Sequence, residues 1–326
     1  MELILTENPS RFVLFPIVYP KIYEMGKKAQ ASIWSTEEID FAVDLNDWKF
    51  KLKDNERYFI MKILCFFAAS DGIVIENLIG NFSSEVKVAE ARFFYGVQNF
   101  IENIHSETYS VMIDTLIKDE KLKLECFKSL DNDPYIAKKA NWAIEYFNAD
   151  KYPFRNRLIA FLLVEGVFFS GSFCSIFWLK KRSLLPGLTF ANELISRDEG
   201  MHAEFACLLY SYLEQRLSED EIYGMFREAV ELETEFVTSV LPVDLIGMNK
   251  ILMVQYVQFV ADYWLRELGY GNLYGVKNPF DFMDIISIDG KTNFFGLYFF
   301  FSIFLSYFLY RKESWRIFKE SDWRDG

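Results

Sequence analysis

Histidine, basic charge, paired cysteines and flexible linkers are all in short supply in this chain of 326 residues. Lys and Arg number 35 against 47 Asp and Glu, a formal net charge of −12, which argues against the basic surface a nucleic-acid groove requires. The four cysteines (Cys65, Cys126, Cys174 and Cys207) stand singly in apolar stretches, with no Cys-x-x-Cys among them. The sequence therefore predicts reduced, buried thiols and a cytoplasmic location. Met1 to Pro9 lacks the basic and apolar blocks of a secretory leader. Only 16 glycines and 8 prolines are present. No Pro/Gly/Ser-rich stretch divides the chain, and no glycine loop of the phosphate-binding kind occurs. No run alternates with period two for long enough to demand a sheet.

What is abundant is helix. Apolar residues recur at spacings of three and four near 56–83, 87–116, 134–147, 154–181, 189–215, 219–240 and 246–268. Ser35-x-x-Glu38 and Ser218-x-x-Glu221 read as capping boxes, Pro153 opens a helix, and Leu185-Pro186-Gly187 parts two long ones. Hydrophobic residues make up 51% of the chain and aromatics 18%, enough for a large core. The expected organisation is an extended N-terminal segment over 1–30, one all-α domain over 31–290 and a distinct aromatic C-terminal segment over 291–326. Two stretches, 59–78 and 157–179, are apolar around the whole helix and would pass for membrane spans by length. Each places one acid deep in the run, Asp71 and Glu165, and a buried acid needs a partner to offset its desolvation. The centre of a soluble bundle is the better reading.

Both histidines close the same pattern, Glu102-Asn103-Ile104-His105 and Glu199-Gly200-Met201-His202. On a helix, positions i and i+3 share a face, so each pattern aims a carboxylate and an imidazole at one point. One such pair is a weak signal, because ordinary polar pairing on helices often produces it. Singly, Asp71 reads as an acid bonded to backbone and Glu165 as a packing defect. Two copies that use every histidine, each preceded by an apolar helix with a deep acid, form a set: Asp71, Glu102 with His105, Glu165, and Glu199 with His202. The intervals from acid to following histidine are 34 and 37 residues, as two helical hairpins about a pseudo-two-fold axis would give. This is the ligand set of ferritin-like bundles with a buried di-metal carboxylate site, with Asp in place of Glu at 71. Four carboxylates balance two divalent ions, and mixed oxygen and nitrogen ligands suit iron or manganese. Such a metal pair reduces dioxygen.

Tyr109 follows His105 by one helical turn on the same face. It reads either as core packing or as the donor of an electron and a proton to an oxygen-activating metal pair. In the second case Phe169 and Phe173, four and eight residues after Glu165, and Ile195, four before Glu199, would supply a dry, unreactive pocket. Four stretches, Phe66 to Val74, Glu102 to Tyr109, Val164 to Phe173 and Ile195 to His202, closely resemble the small, radical-generating subunit of class I ribonucleotide reductases of the eukaryotic type. The resemblance runs from Asn8-Pro9-Ser10-Arg11-Phe12 to Lys291-Thr292-Asn293-Phe294-Phe295. It implies a di-iron centre on the six ligands (two Fe per chain, with Mn the other candidate) and a stable radical on Tyr109. It further implies a homodimer that serves deoxyribonucleotide synthesis in a large catalytic subunit, where the nucleotide binds. In the family a tryptophan and an aspartate bonded to a ligand histidine begin the electron path; Trp34 and Asp198 match them, Asp198 lying in sequence beside the His202 half of the site. Alone, Trp34 reads as a packing residue before a capping box and Asp198 as a helix-face charge. The rival functions are a ferritin-like ferroxidase or iron store and a desaturase-like di-iron oxidase.

After Phe295 the sequence departs from the family, which continues into a polar tail with a relay tyrosine and a docking motif. Residues 294–310 are uncharged and strongly aromatic, and Arg311 and Lys312 follow. Three readings compete: a divergent aromatic tail, with Tyr298, Tyr307 or Tyr310 as relay candidates; a membrane anchor; and a shifted reading frame. The abruptness of the switch favours the last.

Overall fold

Nine helices of ten residues or more carry the fold among the residues described by a computed structural model, 2–240 and 248–284. They are α1 (Pro20–Ala31), α2 (Asp54–Asn77), α3 (Ala89–Leu116), α4 (Pro134–Phe147), α5 (Phe154–Leu163), α6 (Ser170–Lys181), α7 (Pro186–Ser211), α8 (Glu219–Val240) and α9 (Lys250–Glu267). No strand occurs among the described residues. Met1–Phe280 form one unit, and a second begins at Asp281, of which only the short helix Asp281–Asp284 is described. The C-terminal segment 291–326, with its uncharged run and its three tyrosines, lies outside the described residues.

The predicted periodicities correspond to α2 through α9, with two departures. The first lies at the N-terminus, where the sequence predicts an extended segment over 1–30 and Pro20–Ala31 is helical instead. Proline at the first position opens this helix, and Ile22, Gly26 and Ala29 form its buried stripe against α3. A Cβ at Gly26 would lie 2.7 Å from Phe93 Cδ1, so glycine permits the close approach. The second departure is a π-helical turn, Val164–Phe168, which splits the expected helix over 154–181 into α5 and α6. Another π-helical turn, Leu78–Phe82, ends α2.

Two packing units meet at the centre. α1 and α2 lie against α3, while α5, the π turn and α6 form the innermost layer, covered by α7, α8 and α9. Both stretches flagged as span-like are long and apolar enough to cross a membrane, but the apolar window of Phe154–Lys181 is 100% buried inside the fold, against 56% for Asp54–Glu85. A core position accounts for the hydropathy of the inner helix.

The start of α7 is held from a distance. Asp44 accepts hydrogen bonds from the backbone N–H of Gly187 and Leu188, each at 2.7 Å, and Asp47 accepts one from Leu185 at 3.0 Å. Leu185 has a left-handed backbone (φ 52°), which costs a non-glycine residue about 1–2 kcal/mol. The capping box at Ser218 and Glu221 forms in both directions, and that at Ser35 and Glu38 heads the 3-10 turn Thr36–Glu38. Cys65 and Cys126 are paired as a disulfide with Cα atoms 4.7 Å apart, while Cys174 and Cys207 are free. The expectation of four free thiols fails there because α2 passes beside the short helix Glu120–Phe127, an adjacency that residues 61 apart in sequence do not reveal.

Candidate metal centre

Four parts of the core converge on one spot. α2 brings Asp71, α3 brings Glu102 and His105, the π turn brings Glu165, and α7 brings Glu199 and His202; none is more than 3% exposed. One ligand atom from each of Glu102, Glu165, Glu199 and His202 lies within 4.8 Å of the others. Glu102 Oε1 is 2.9 Å and Glu199 Oε2 is 3.4 Å from His202 Nδ1. On the other side, Glu102 Oε2 is 3.4 Å and Glu199 Oε1 is 3.2 Å from His105 Nδ1. Glu102 and Glu199 thus stand between two imidazoles whose centroids are 6.2 Å apart.

Glu199 bonds both imidazoles, at 3.2 Å to His105 and 3.4 Å to His202, but most of the other carboxylate oxygens have no partner. Both oxygens of Asp71, both of Glu102 and Oε2 of Glu165 are buried with no hydrogen-bond partner. An ionised carboxylate left this way in an apolar interior is costly. Burial, then the charges of Glu102 and Glu199, push Asp71 well above the usual carboxylate range. Burial and the charges of Glu199 and Glu102 do the same to Glu165. Burial also pushes Glu102 up, but His202 and His105 together pull it down to about 2. In both histidines burial favours the neutral ring and the surrounding carboxylates outweigh it, raising His202 to about 9 and His105 well above the ordinary value. The convergent group of Glu102, Glu165, Glu199 and His202, with the unpartnered Asp71 carboxylate and His105 beside it, is an oxygen and nitrogen donor set that fits a divalent metal.

Asp198 meets the site through His105. Its Oδ2 accepts the Trp34 indole N–H at 2.7 Å and lies 3.4 Å from His105 Nε2, while Oδ1 takes two bonds from Arg197 at 3.0 and 2.9 Å. The sequence position beside Glu199 suggests the His202 half, and the structure corrects this. Consecutive helical residues point about 100° apart, so Asp198 leaves the metal-facing stripe of α7 and reaches His105 from behind. Its acceptor at Nε2 leaves Nδ1 as the nitrogen facing the carboxylates. Trp34 is 4% exposed and stacks on the His105 ring at 6.0 Å. Thr36 fastens the tryptophan segment to α3 through Thr108, 2.8 Å away.

Tyr109 is 2% exposed, and the ring stacked on it is Phe67, at 4.7 Å and 8°. Phe173 and Phe169 pack on Phe67 in turn, at 4.9 and 5.4 Å; Ile195 is fully buried. Burial first, then Asp71, Glu199 and Glu102, raise the Tyr109 phenol well above its ordinary value. Sequence reasoning assigns no role to Phe67 or to Gln98, whose Nε2 donates to Glu165 Oε1 at 3.2 Å. Gln98 precedes Glu102 by four residues on the same helix face, a signal that the spacing does carry.

The sequence profile described as ribonucleotide reductase, small chain, matches residues 11–279. The protein belongs to that family. It is 58% identical over 295 residues to the ribonucleoside-diphosphate reductase small subunit of Dictyostelium discoideum, an alignment spanning 90% of this sequence and 87% of the relative. Against human ribonucleoside-diphosphate reductase subunit M2 it is 55% identical, with 90% and 75% spanned. Among solved structures, the ribonucleotide reductase Rnr4 homodimer of Saccharomyces cerevisiae superposes with a TM-score of 0.81 at 38% identity, covering 87% of this protein and 90% of that one. The dimanganese(II)-NrdF of Streptococcus sanguinis shares the fold at 22% identity, with a TM-score of 0.71 and 80% and 92% coverage. The ferritin-like bundle and its buried carboxylate–histidine cluster are those of a ribonucleotide reductase small subunit.

Proposed function

We propose that Asp71, Glu102, His105, Glu165, Glu199 and His202 hold two iron ions in this ribonucleotide reductase small subunit, and that Tyr109 carries its stable radical. The observation that supports this most is the pairing of unpartnered, convergent carboxylates with a buried phenol one turn from His105, covered by Phe67. When bound, the iron pair supplies the reduction of dioxygen that makes a one-electron oxidant of tyrosine available.

The remaining work falls to the protein's own residues. Burial first, then Asp71, Glu199 and Glu102, favour the neutral, protonated phenol of Tyr109. Phe67 covers the phenol ring against water and hydrogen donors, and Phe169 and Phe173 pack behind Phe67. Trp34, Asp198 and His105 form a bonded path from the segment before α2 into the site. Asp198 keeps its negative charge despite burial, because Arg197, His105 and Trp34 outweigh that burial. It can therefore hold a proton-sharing bond on each side.

The large catalytic subunit would bind the nucleotide and receive the oxidising equivalent, and the small subunit would act as a pair of identical copies. Iron is the metal proposed, with manganese the alternative, and reconstitution with each metal decides between them. Ferrous iron and oxygen added to the full-length protein are expected to give a sharp tyrosyl absorption and radical resonance, and nucleotide reduction with the large subunit. Retention of that resonance in Tyr109→Phe would remove the assignment. A ferroxidase or store would turn over iron without it.

A further inference from the structure

Glu165 stands on a backbone that a regular α-helix would not provide. A π turn interrupts the i to i−4 ladder, so polar groups around it need partners from elsewhere. Side chains from three other helices supply them. Trp264 on α9 donates its indole N–H to Gly166 O at 3.0 Å. Lys139 on α4 donates to Phe168 O at 2.8 Å. Glu233 on α8 accepts the N–H of Gly171 at 3.2 Å with one oxygen and the Lys139 ammonium at 2.5 Å with the other. All three are buried, with exposures of 3%, 2% and 0% for Trp264, Lys139 and Glu233.

The two glycines in this stretch admit these groups. A Cβ at Gly166 would lie 2.5 Å from Trp264 Nε1, and one at Gly171 would lie 2.6 Å from Glu233 Oε1. The ammonium of Lys139 also sits 3.6 Å from the Phe66 ring centroid and 4.1 Å from that of Phe236, so one cation ties the turn to the rings beside Phe67. As a source of stability this arrangement is poor, because burying an ion pair costs about as much as it returns. Burial pushes Lys139 down to about 8 and Glu233 up to about 7. What the pair does supply is position.

We propose that Lys139, Glu233 and Trp264 are positioning residues that clamp the π turn and thereby hold Glu165 in register with Glu102, Glu199 and His202. The proposal rests on Glu165 being a metal ligand, as argued above. Its structural half, the clamp on residues 166–171, is testable without metal.

The test compares the full-length protein with Lys139→Met/Glu233→Met, which removes both charges together, using manganous ion as the probe and counting free Mn(II) by its resonance. The wild type is expected to bind two ions per chain. In the double variant the Asp71 and His105 side should keep its ion, while the Glu165 side weakens at least tenfold. In metal-free protein, amide hydrogen exchange at 166–171 should quicken at least tenfold, with α3 unchanged. Unaltered exchange at 166–171, or equal weakening of both ions, overturns the proposal. A wild type that binds no manganese removes the ligand reading instead, and the exchange comparison still decides the clamp. If the double variant does not fold, Trp264→Phe, which deletes only the donor to Gly166, is judged by the same two readouts.

Discussion

Trp34 and Asp198, 164 residues apart in sequence, share a hydrogen bond of 2.7 Å inside the core. Asp198 extends it to the back of His105, so the tryptophan is one carboxylate away from a ligand of the proposed metal pair. Trp34→Phe keeps the ring stack and deletes the donor. The expected outcome is unchanged metal content and thermal midpoint, with nucleotide reduction alongside the large subunit lowered by at least a hundredfold. Activity within threefold of wild type would exclude this path.

Phe67 covers Tyr109 on one side. Phe67→Ala removes a fully buried ring, which costs about 3–5 kcal/mol, and opens the phenol to water. Chemical denaturation should show that loss. The tyrosyl resonance, where formed, should decay at least tenfold faster than in wild type, whereas Tyr109→Phe should show no resonance and little change in stability.

Metal-free protein should be sensitive to pH in a defined direction. Asp71 and Glu165 keep protons when folded at pH values where the unfolded chain has released them, so their contribution to stability is present in acid and lost as pH rises. Loading with divalent metal should release protons, measurable as a dependence of binding heat on buffer. Glu165→Gln should raise the midpoint of the metal-free protein while halving the metal bound. A lower midpoint would contradict the charge crowding.

The Lys139–Glu233 pair makes an opposite pair of contributions. Glu233, moved from 4.5 to about 7, contributes stability that falls as pH rises through that interval. Lys139, moved from 10.5 to about 8, contributes stability that grows as pH rises from 8 to 10.5. The pair is therefore least favourable at pH 7–8. The stability of Lys139→Met/Glu233→Met relative to wild type should therefore be highest there and fall toward pH 5 and toward pH 10, on top of a pH-independent cost for the Phe168 carbonyl and Gly171 N–H that lose their partners. A difference from wild type that does not vary with pH would refute this.

The helices and the buried carboxylate–histidine cluster are legible because both rest on local spacing. Apolar periodicity marks α2 through α9, and an i, i+3 pair of carboxylate and imidazole marks α3 and α7. Ile22, Gly26 and Ala29 carry the same signal for α1, in a segment expected to be extended. What stays hidden is tertiary. A π turn leaves no compositional trace, since it differs from its neighbours only in which carbonyl each N–H meets. Lys139 and Glu233 look like ordinary helix-face charges until α4 and α8 are seen to press them together. Sequence adjacency assigns Asp198 to the nearer histidine, and it belongs with the farther one.

The anchoring of Gly187 and Leu188 by Asp44 makes α7 a ruler with a fixed zero. Glu199 is read off twelve residues beyond Gly187, so its direction depends on counting rather than on the identity of what lies between. One residue added between Leu188 and Glu193 would advance everything after it by about 1.5 Å and turn it about 100°. Glu199 and His202 would then leave the shared space together, with no ligand altered. Single insertions and deletions in this interval should abolish metal binding where most substitutions on its outer face are silent.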